Sequence, residues 1–152
     1  MKNDRTVTTN RKAFHNYLIE DSIEAGLVLT GTEIKSIRAG RVNLQDAYAR
    51  PQNGELWLVN AHIAPYREGN RYNHEPARPR KLLLHKNEVR MFIGEVERKG
   101  LTLIPLKMYL KNGRAKVEIG VAKGKKLHDK RKSIVERQAD RDMEKAMKTV
   151  RR

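Results

Sequence analysis

The strongest constraint in this sequence is the dipeptide Asn112-Gly113, which lies between two long segments rich in apolar and β-branched residues. A two-residue type I′ turn needs a positive φ at both positions, and Asn followed by Gly meets that need. Residues 101–110 and 114–121 are therefore predicted to form a long antiparallel hairpin. Pro105 cannot donate to a neighbouring strand, so it predicts an edge or a bulge in the first of these strands.

Other segments also have strand patterns. Residues 42–50 and 55–63 flank a Pro-Gln-Asn-Gly turn and are predicted to form a second hairpin. Residues 10–29 are interpreted as one extended strand with a bend at Gly26, and residues 81–85 as a short strand.

Two segments have helix signals. Thr30 to Glu33 has the form of a capping box and predicts a short helix over residues 31–39. Apolar residues at helical spacing predict a second helix over residues 87–99. Between them, residues 65–79 contain three prolines and three arginines and are interpreted as a long basic loop that is functional or disordered.

These elements together predict a mainly β fold. About six short strands and two to three short helices in a domain of this size indicate an OB-like antiparallel six-stranded barrel with helices at its ends. We expect a polar, mobile N-terminus over residues 1–9 and a folded body over residues 10–122.

The remaining residues, 123–152, form a basic tail with 12 Lys/Arg and 5 Asp/Glu, a net charge of +7. Such a segment has too few apolar residues to fold alone. Apolar residues over 134–150 nevertheless recur at helical spacing. The tail is therefore predicted to be disordered when free and to become helical on a polyanion.

The charge of the chain narrows its partners. The whole chain carries +15, so the body carries +8 once the +7 of the tail is subtracted. This excess favours nucleic acid or an anionic membrane as the partner. Apolar runs of only three or four residues argue against a membrane. The first residues lack a hydrophobic signal region, so we expect a cytoplasmic protein.

Catalytic chemistry has no support in the sequence. There is no cysteine, and the five histidines form none of the spacings typical of metal sites. The sequence has no phosphate-binding loop, and the neighbouring carboxylates Glu20 and Asp21 point to opposite faces of a strand. We therefore expect no enzyme activity, no metal and no cofactor.

Binding chemistry is better represented. Residues 10–17 place cations beside Phe14 and Tyr17, whose rings can stack on bases. The alternative is a solvated strand start with both rings in the core. In the hairpin, Arg114 and Lys116 share a face, and here the alternative is an ordinary basic surface. Lys111 and Lys123 are expected near these two cations, with Tyr109 between them.

Two further features have both a binding and a plain interpretation. Glu24 is an acid in a basic body, and it either accepts hydrogen bonds from bases or pairs with a surface cation. In the tail, Lys130-Arg131-Lys132 can contact phosphates, His128 can stack on a base and Asp129 can cap a helix. The alternative for the tail is a generic basic extension.

Five sequence segments, in the same order along the chain as in the family, resemble one protein family. They cover residues 10–17, 24–27, 31–40, 80–84 and 116–131. On these segments the chain resembles the bacterial SsrA-binding proteins. The resemblance implies an OB-like body that binds the tRNA-like domain of transfer-messenger RNA and enters the A site of stalled ribosomes with elongation factor Tu, which it contacts indirectly through the RNA. It also implies that the tail fills the vacant mRNA path on small-subunit rRNA, which allows tagging of the nascent chain.

The resemblance also implies site residues. Two positions after the tail motif differ from many relatives, since Val135 and Gln138 stand where lysine and aspartate are common. The implied RNA-binding residues of the body are Asn10, Arg11, Lys12, His15, Tyr17, Glu24, Leu83, Lys116 and Lys123. The implied decoding-centre residues of the tail are Lys125, Lys126, His128, Asp129, Lys130 and Arg131.

These inferences lead to one expectation and one rival. We expect a monomeric, non-enzymatic RNA-binding adaptor for ribosome rescue. The rival is a structural ribosomal protein with an OB-like body and a basic extension, which would remain on all ribosomes after washing in high salt.

Overall fold

A computed structural model describes residues 5–67 and 73–124 of the chain. Within these ranges the chain forms three helices and nine strands, most of them short. The helices are α1 (Arg11–Asn16), α2 (Gly31–Arg38) and α3 (Lys86–Lys99). The strands are β1 (Arg5–Thr9), β2 (Tyr17–Leu27), β3 (Val42–Asn43), β4 (Tyr48–Gln52), β5 (Glu55–Val59), β6 (His62–Ile63), β7 (Arg80–Leu83), β8 (Thr102–Lys111) and β9 (Arg114–Gly124).

Six of the strands close into an antiparallel barrel. Their order is β8-β4-β5-β7-β2-β9, and the pairing of β9 with β8 joins the two ends. This confirms the predicted six-stranded, mainly β fold of the OB-like type. Strand β1 adds to β8 beside the barrel, and β3 pairs with β6 in a separate two-stranded sheet.

Both predicted hairpins are present. At the tip of the β8–β9 hairpin, Asn112 has φ 53° and Gly113 has φ 77°, as a type I′ turn requires. Asn53 and Gly54 repeat this conformation between β4 and β5, with φ values of 53° and 75°. The predicted irregularity at Pro105 is also confirmed, because the register of β8 against β9 shifts between Pro105 and Lys107.

Three expectations were wrong in detail. The N-terminus was expected to be mobile over residues 1–9, but residues 5–9 form β1, because a run of threonine and valine suits a strand and β8 offers it a partner edge. The segment 10–29 is not one strand, because residues 11–16 form α1. The body was expected to end at residue 122, but β9 continues to Gly124 and pairs there with Tyr17.

The second hairpin is also shorter than predicted. The backbone turns between β3 and β4, where Gln45 N–H donates to Asn43 Oδ1 over 2.8 Å and Ala47 N–H donates to Leu44 O over 3.0 Å. Between β5 and β6, Asn60 adopts a left-handed φ of 63° that no strand can contain. Each predicted strand of this hairpin is therefore divided in two.

The main core fills the barrel and extends under two helices. Ile37 of α2 and Phe92 of α3 are buried against strand residues such as Leu58, Leu103 and Val117. The capping box of α2 is present, since Thr30 and Glu33 exchange side-chain and backbone hydrogen bonds. Helix α3 ends at Lys99 and is capped by Gly100, which has a left-handed φ of 64° and donates its N–H to Val96 O.

A buried ion group ties α2 to β7 and to the residues just before it. The side chains of Glu33 and Arg80 are both fully buried and form an ion pair. Arg78 also binds both carboxylate oxygens of Glu33. Arg80 donates further to the carbonyls of Ala61, over 2.7 Å, and Pro76, over 3.1 Å. Burial alone would raise the pKa of Glu33, but the hydrogen bonds from Arg78, Thr30 and Arg80 outweigh it and lower that pKa.

We predict that Glu33→Gln destabilises the protein by about 3–5 kcal/mol, because it leaves the buried Arg80 guanidinium without a counter-charge. The free energy of unfolding is measured by urea denaturation. Glu55→Gln is the matched control, since Glu55 pairs with Lys81 at 3.5 Å with both side chains about two-fifths exposed. We expect the control to lose at most about 1 kcal/mol.

The same variant changes the response to acid. Because the pKa of Glu33 is lowered in the folded state, its contribution to stability is present above the unfolded pKa of about 4.3. That contribution is lost as the pH falls through the folded pKa. The wild-type protein should therefore lose stability below about pH 4 more steeply than Glu33→Gln. Equal slopes in the two proteins would contradict this assignment.

Candidate nucleic-acid interface

Strands β2, β7 and β9 meet at Gly26. Gly26 pairs with Leu83 of β7 on one side and with Lys116 of β9 on the other. A Cβ atom on Gly26 would lie 3.2 Å from Leu83 Cβ and 3.6 Å from Lys116 Nζ, so the missing side chain makes room for both neighbours. Leu83 and Lys116, two of the RNA-binding residues that the resemblance implies, are thereby brought together from distant parts of the chain.

Glu24 lies on the same face of β2 as Gly26, because residues two apart in a strand point the same way. On β9, Lys116 and Glu118 are half-buried, whereas Val117 and Ile119 are buried in the main core. We call the side of β2, β9 and β8 that faces away from the main core the outer face. Glu24 and Lys116 both belong to it.

Glu24 is held by two side chains of β8. The Tyr109 hydroxyl donates to Glu24 Oε2, and Lys111 Nζ lies 3.5 Å from the same oxygen. The hydrogen bond from Tyr109 is the main reason why the pKa of Glu24 is lowered, and Lys111 and Lys116 add to the effect. Burial, together with this bond, raises the pKa of Tyr109 above its ordinary value. Glu24 is therefore an ionised, oriented acceptor in a cationic surface.

Leu83 is an apolar side chain on this surface. It is 49% exposed, so it does not belong to the core that its chemistry favours. Beside it lies an open cavity of about 310 Å³. Its walls combine apolar groups with two cations, and they include Leu27, Leu29, Ile34, Leu83, Arg114 and Lys116.

Helix α1 lies on the outer face beyond these residues. Ala13 packs with Ile104, Leu106 and Ala122 in a small second core, against which Tyr17 is half-buried. The distance along β9 from Lys116 to Ala122 is roughly 20 Å, at about 3.3 Å per residue. The exposed residues of α1 are Arg11, Lys12, Phe14 and His15.

The ring residues of this segment behave differently from each other. Phe14 is 44% exposed, so the alternative that placed it in the core is wrong. Tyr17 packs partly against the second core. Lys12 forms an exposed ion pair with Asp46 at 3.1 Å.

Asn10 differs from its neighbours because its side chain is turned into the protein. It is 4% exposed, and its Nδ2 donates to Leu44 O over 3.1 Å and to Pro105 O over 2.9 Å. Its Oδ1 accepts from Ala13 N–H over 3.3 Å and so caps α1. This N-cap could have been recognised in the sequence, where Asn10 precedes a short run of helix-compatible residues.

Lys123 is exposed near the end of β9, where it pairs with Leu18. By the alternation along β9 it lies on the same side as Val121 and not on the outer face, at the end of the strand that pairs beside α1 and away from Lys116. The decoding-centre residues implied by the resemblance lie outside the part of the chain that the structure describes. They are Lys125, Lys126, His128, Asp129, Lys130 and Arg131.

Tyr109 is a functional candidate for which the sequence analysis predicted no role of its own. Counting outward from Asn112-Gly113 pairs Tyr109 with Lys116, so their proximity could have been derived from the hairpin alone. The contact with Glu24 could not, because Tyr109 reaches across β9 to meet a residue of β2.

Residues 5–67 and 73–124 contain no group of three or more His, Asp or Glu side chains that could hold a metal ion.

Among the helices described, none combines the length and apolar character needed to cross a membrane.

The fold and the site together define a small closed β-barrel protein whose outer face carries cations, an oriented acid, and exposed aromatic and apolar side chains. Comparison with known proteins specifies this class further. A family model described as SmpB protein matches residues 7–149. The chain belongs to this family.

Individual relatives agree with the family model. The SsrA-binding protein of Nostoc sp. is 61% identical over 145 residues, covering 95% of this chain and 94% of the relative. That of Desulforudis audaxviator is 59% identical over 143 residues, with 94% of each chain covered. A chain in a solved structure described as "tmRNA-SmpB: a journey to the center of the bacterial ribosome" has a TM-score of 0.68 and 50% identity, covering 84% of this chain and 93% of that one.

We predict that Asn10→Ala destabilises the protein by about 1–3 kcal/mol, because two buried carbonyls and the first turn of α1 lose their hydrogen-bond partner. Thermal or urea unfolding measures the change. Arg11→Ala, at the next and exposed position, is the control and should stay within about 0.5 kcal/mol of the wild type. If both variants are equally stable, Asn10 does not anchor α1.

Proposed function

We propose that this protein is an RNA-binding adaptor for trans-translation that binds the tRNA-like domain of transfer-messenger RNA. The names of the relatives, SsrA-binding protein, support the RNA partner. The solved structure that resembles the chain is described as a journey of tmRNA-SmpB to the centre of the bacterial ribosome, which supports the ribosome as the place of action. We further propose that it acts by binding rather than by catalysis, in the cytoplasm and as a monomer.

One observation carries the proposed RNA site. Glu24, Leu83 and Lys116 come from three strands and lie around Gly26, where no side chain separates them. Each has a chemistry that RNA can use. The ammonium of Lys116 suits a phosphate, and exposed Leu83 suits the face of an unstacked base or a ribose. Glu24 can accept only from donors, so it suits a base edge or a 2′-hydroxyl.

The α1 end of the outer face supplies a second set of contacts in this proposal. Arg11 and His15 are exposed there and offer a cation and a stacking ring, and Lys123 adds a cation at the nearby end of β9. Lys12, which pairs with Asp46, contributes a further cation, and Tyr17 contributes the accessible part of its ring. Asn10 acts indirectly by holding α1 in place, since its side chain is engaged inside the protein.

The tail has a separate task in this proposal. The body holds the RNA and enters the A site of a stalled ribosome, with elongation factor Tu bound to the RNA rather than to the protein. The tail then contacts small-subunit rRNA at the decoding centre and along the vacant mRNA path. The residues assigned to these contacts are Lys125, Lys126, His128, Asp129, Lys130 and Arg131.

We predict that Lys116→Ala lowers the affinity for the tRNA-like domain by about 10-fold, because a charge-assisted phosphate contact is lost. The slope of log affinity against log salt should also become shallower by about 0.7–0.9. Gel-shift titrations at several salt concentrations measure both quantities.

Lys99→Ala is the matched control for this substitution. It removes the same charge from α3, where Lys99 pairs with Glu95 at 3.1 Å on an exposed surface. The control should bind RNA like the wild type at each salt concentration. Equal losses in the two variants would mean that only overall charge matters and that the site around Gly26 is not the interface.

A second prediction concerns the division between body and tail. A stop after Gly124 keeps every residue of the β2–β9 ladder, including the pair Tyr17 and Gly124. The shortened protein should bind the tRNA-like domain with nearly the affinity of the full chain at matched salt. It should fail to support tagging of nascent chains on ribosomes stalled at the end of an mRNA without a stop codon.

Both activities are measured on the same preparation. If RNA affinity falls in parallel with tagging, the tail is part of the RNA site and the division is wrong. If tagging survives the truncation, the tail has no task in the decoding centre.

A further inference from the structure

Glu24 would be a poor RNA ligand without its neighbours. Its side chain is 38% exposed and lies among Lys111, Lys116 and Arg114, which line one open pocket with it. A flexible glutamate in that setting would pair with whichever lysine is nearest, and an exposed pair of this kind contributes little specificity. Its usefulness as an acceptor depends on what holds its carboxylate.

Tyr109 is the side chain that holds it. Its hydroxyl donates to Glu24 Oε2, and Lys111 Nζ approaches the same oxygen at 3.5 Å. Both of these contacts are made with the same oxygen, Oε2. Oε1 takes part in neither contact, so it can accept from a donor outside the protein, in an orientation set by the bond on Oε2.

The tyrosine is itself constrained on more than one side. It lies opposite Lys116 in the β8–β9 ladder, and Lys107 Nζ lies 5.4 Å from the centroid of its ring. Lys107 is in turn 3.6 Å from Glu118 on β9. The ladder fixes the backbone of Tyr109, and the cation contacts its ring. The hydroxyl is therefore held in one place, which a longer and more flexible donor such as lysine would not achieve.

We propose that Tyr109 is a positioning residue for RNA recognition, which orients the Glu24 carboxylate so that Oε1 accepts from a base-edge N–H or a ribose 2′-hydroxyl. This inference rests on the proposed function and adds to it a residue that determines specificity. A carboxylate repels phosphate and accepts only from donors, so the contact selects among RNAs without adding to nonspecific binding. The lowered pKa of Glu24 agrees with this role, since it keeps the acceptor ionised.

The test compares Tyr109→Phe, Glu24→Gln and the double variant in full-length protein. Affinity is measured by fluorescence polarisation for the tRNA-like domain and for an unrelated single-stranded RNA of equal length. Each single variant should bind the tRNA-like domain about 3- to 10-fold more weakly, the effect of one lost hydrogen bond. The double variant should match Glu24→Gln alone, because both substitutions remove the same contact. For Tyr109→Phe, which changes no charge, affinity for the unrelated RNA and the salt slope should not change.

Tyr66→Phe is the matched control, because Tyr66 also has a lysine, Lys35, 5.4 Å from its ring centroid. It should bind both RNAs like the wild type. A second readout needs no RNA. Titration of ¹³C-labelled glutamate carboxyls by NMR should show that the pKa of Glu24 rises toward its ordinary value in Tyr109→Phe, while far-UV circular dichroism stays unchanged.

The possible failures are distinguishable. If the wild-type protein does not prefer the tRNA-like domain, the proposed function fails. If Lys116→Ala weakens binding but Glu24→Gln does not, the RNA site stands and the role of Tyr109 is overturned. The role is also overturned if Tyr109→Phe binds like the wild type, if the two losses add in the double variant, or if affinity for both RNAs falls equally.

Discussion

The rest of the structure depends on the pairing of β9 with two strands at once. Through its hydrogen bonds to β2 and β8, β9 closes the barrel and sets the register of both neighbours. Lys116 is placed between Gly26 and Tyr109 by these two ladders. Because a register slip of one residue would turn every side chain to the other face, the same ladders that bury Val117 and Ile119 also present Lys116 outward.

The outer face shows how a barrel can carry a binding surface on positions that its core does not use. Because side chains alternate along β9, every second residue is buried in the main core, and the residues between them are free to carry polar side chains on the outer face. The hydrogen bond from Tyr109 to Glu24 crosses β9, so it exists only when β8, β9 and β2 lie side by side in the sheet. In the proposed adaptor, the geometry of RNA recognition therefore depends on the pairing of these three strands. The buried pair of Glu33 and Arg80 secures α2 against the same barrel from another side.

Much of the fold could be predicted from the sequence because its signals are local. The two Asn-Gly turns, the capping box at Thr30 and the apolar spacing of α3 each act within a few residues. The errors occurred where an element also depends on contacts with distant residues. Residues 5–9 form a strand because β8 offers an edge, and α1 forms because Asn10 is anchored to Leu44 and Pro105 across the fold.

The sequence by itself determined the hairpins, the count of barrel strands, the basic character of the chain and, through its resemblance to SsrA-binding proteins, its family. Those properties follow from short-range backbone chemistry, composition and residue order. Only the tertiary structure decided that Leu83 is exposed beside Lys116, that Asn10 faces inward and that Tyr109 holds Glu24. Each of these depends on strand order and register in a closed barrel. Such contacts join residues up to 95 positions apart, as in the bond from Asn10 to Pro105, and no local pattern encodes them.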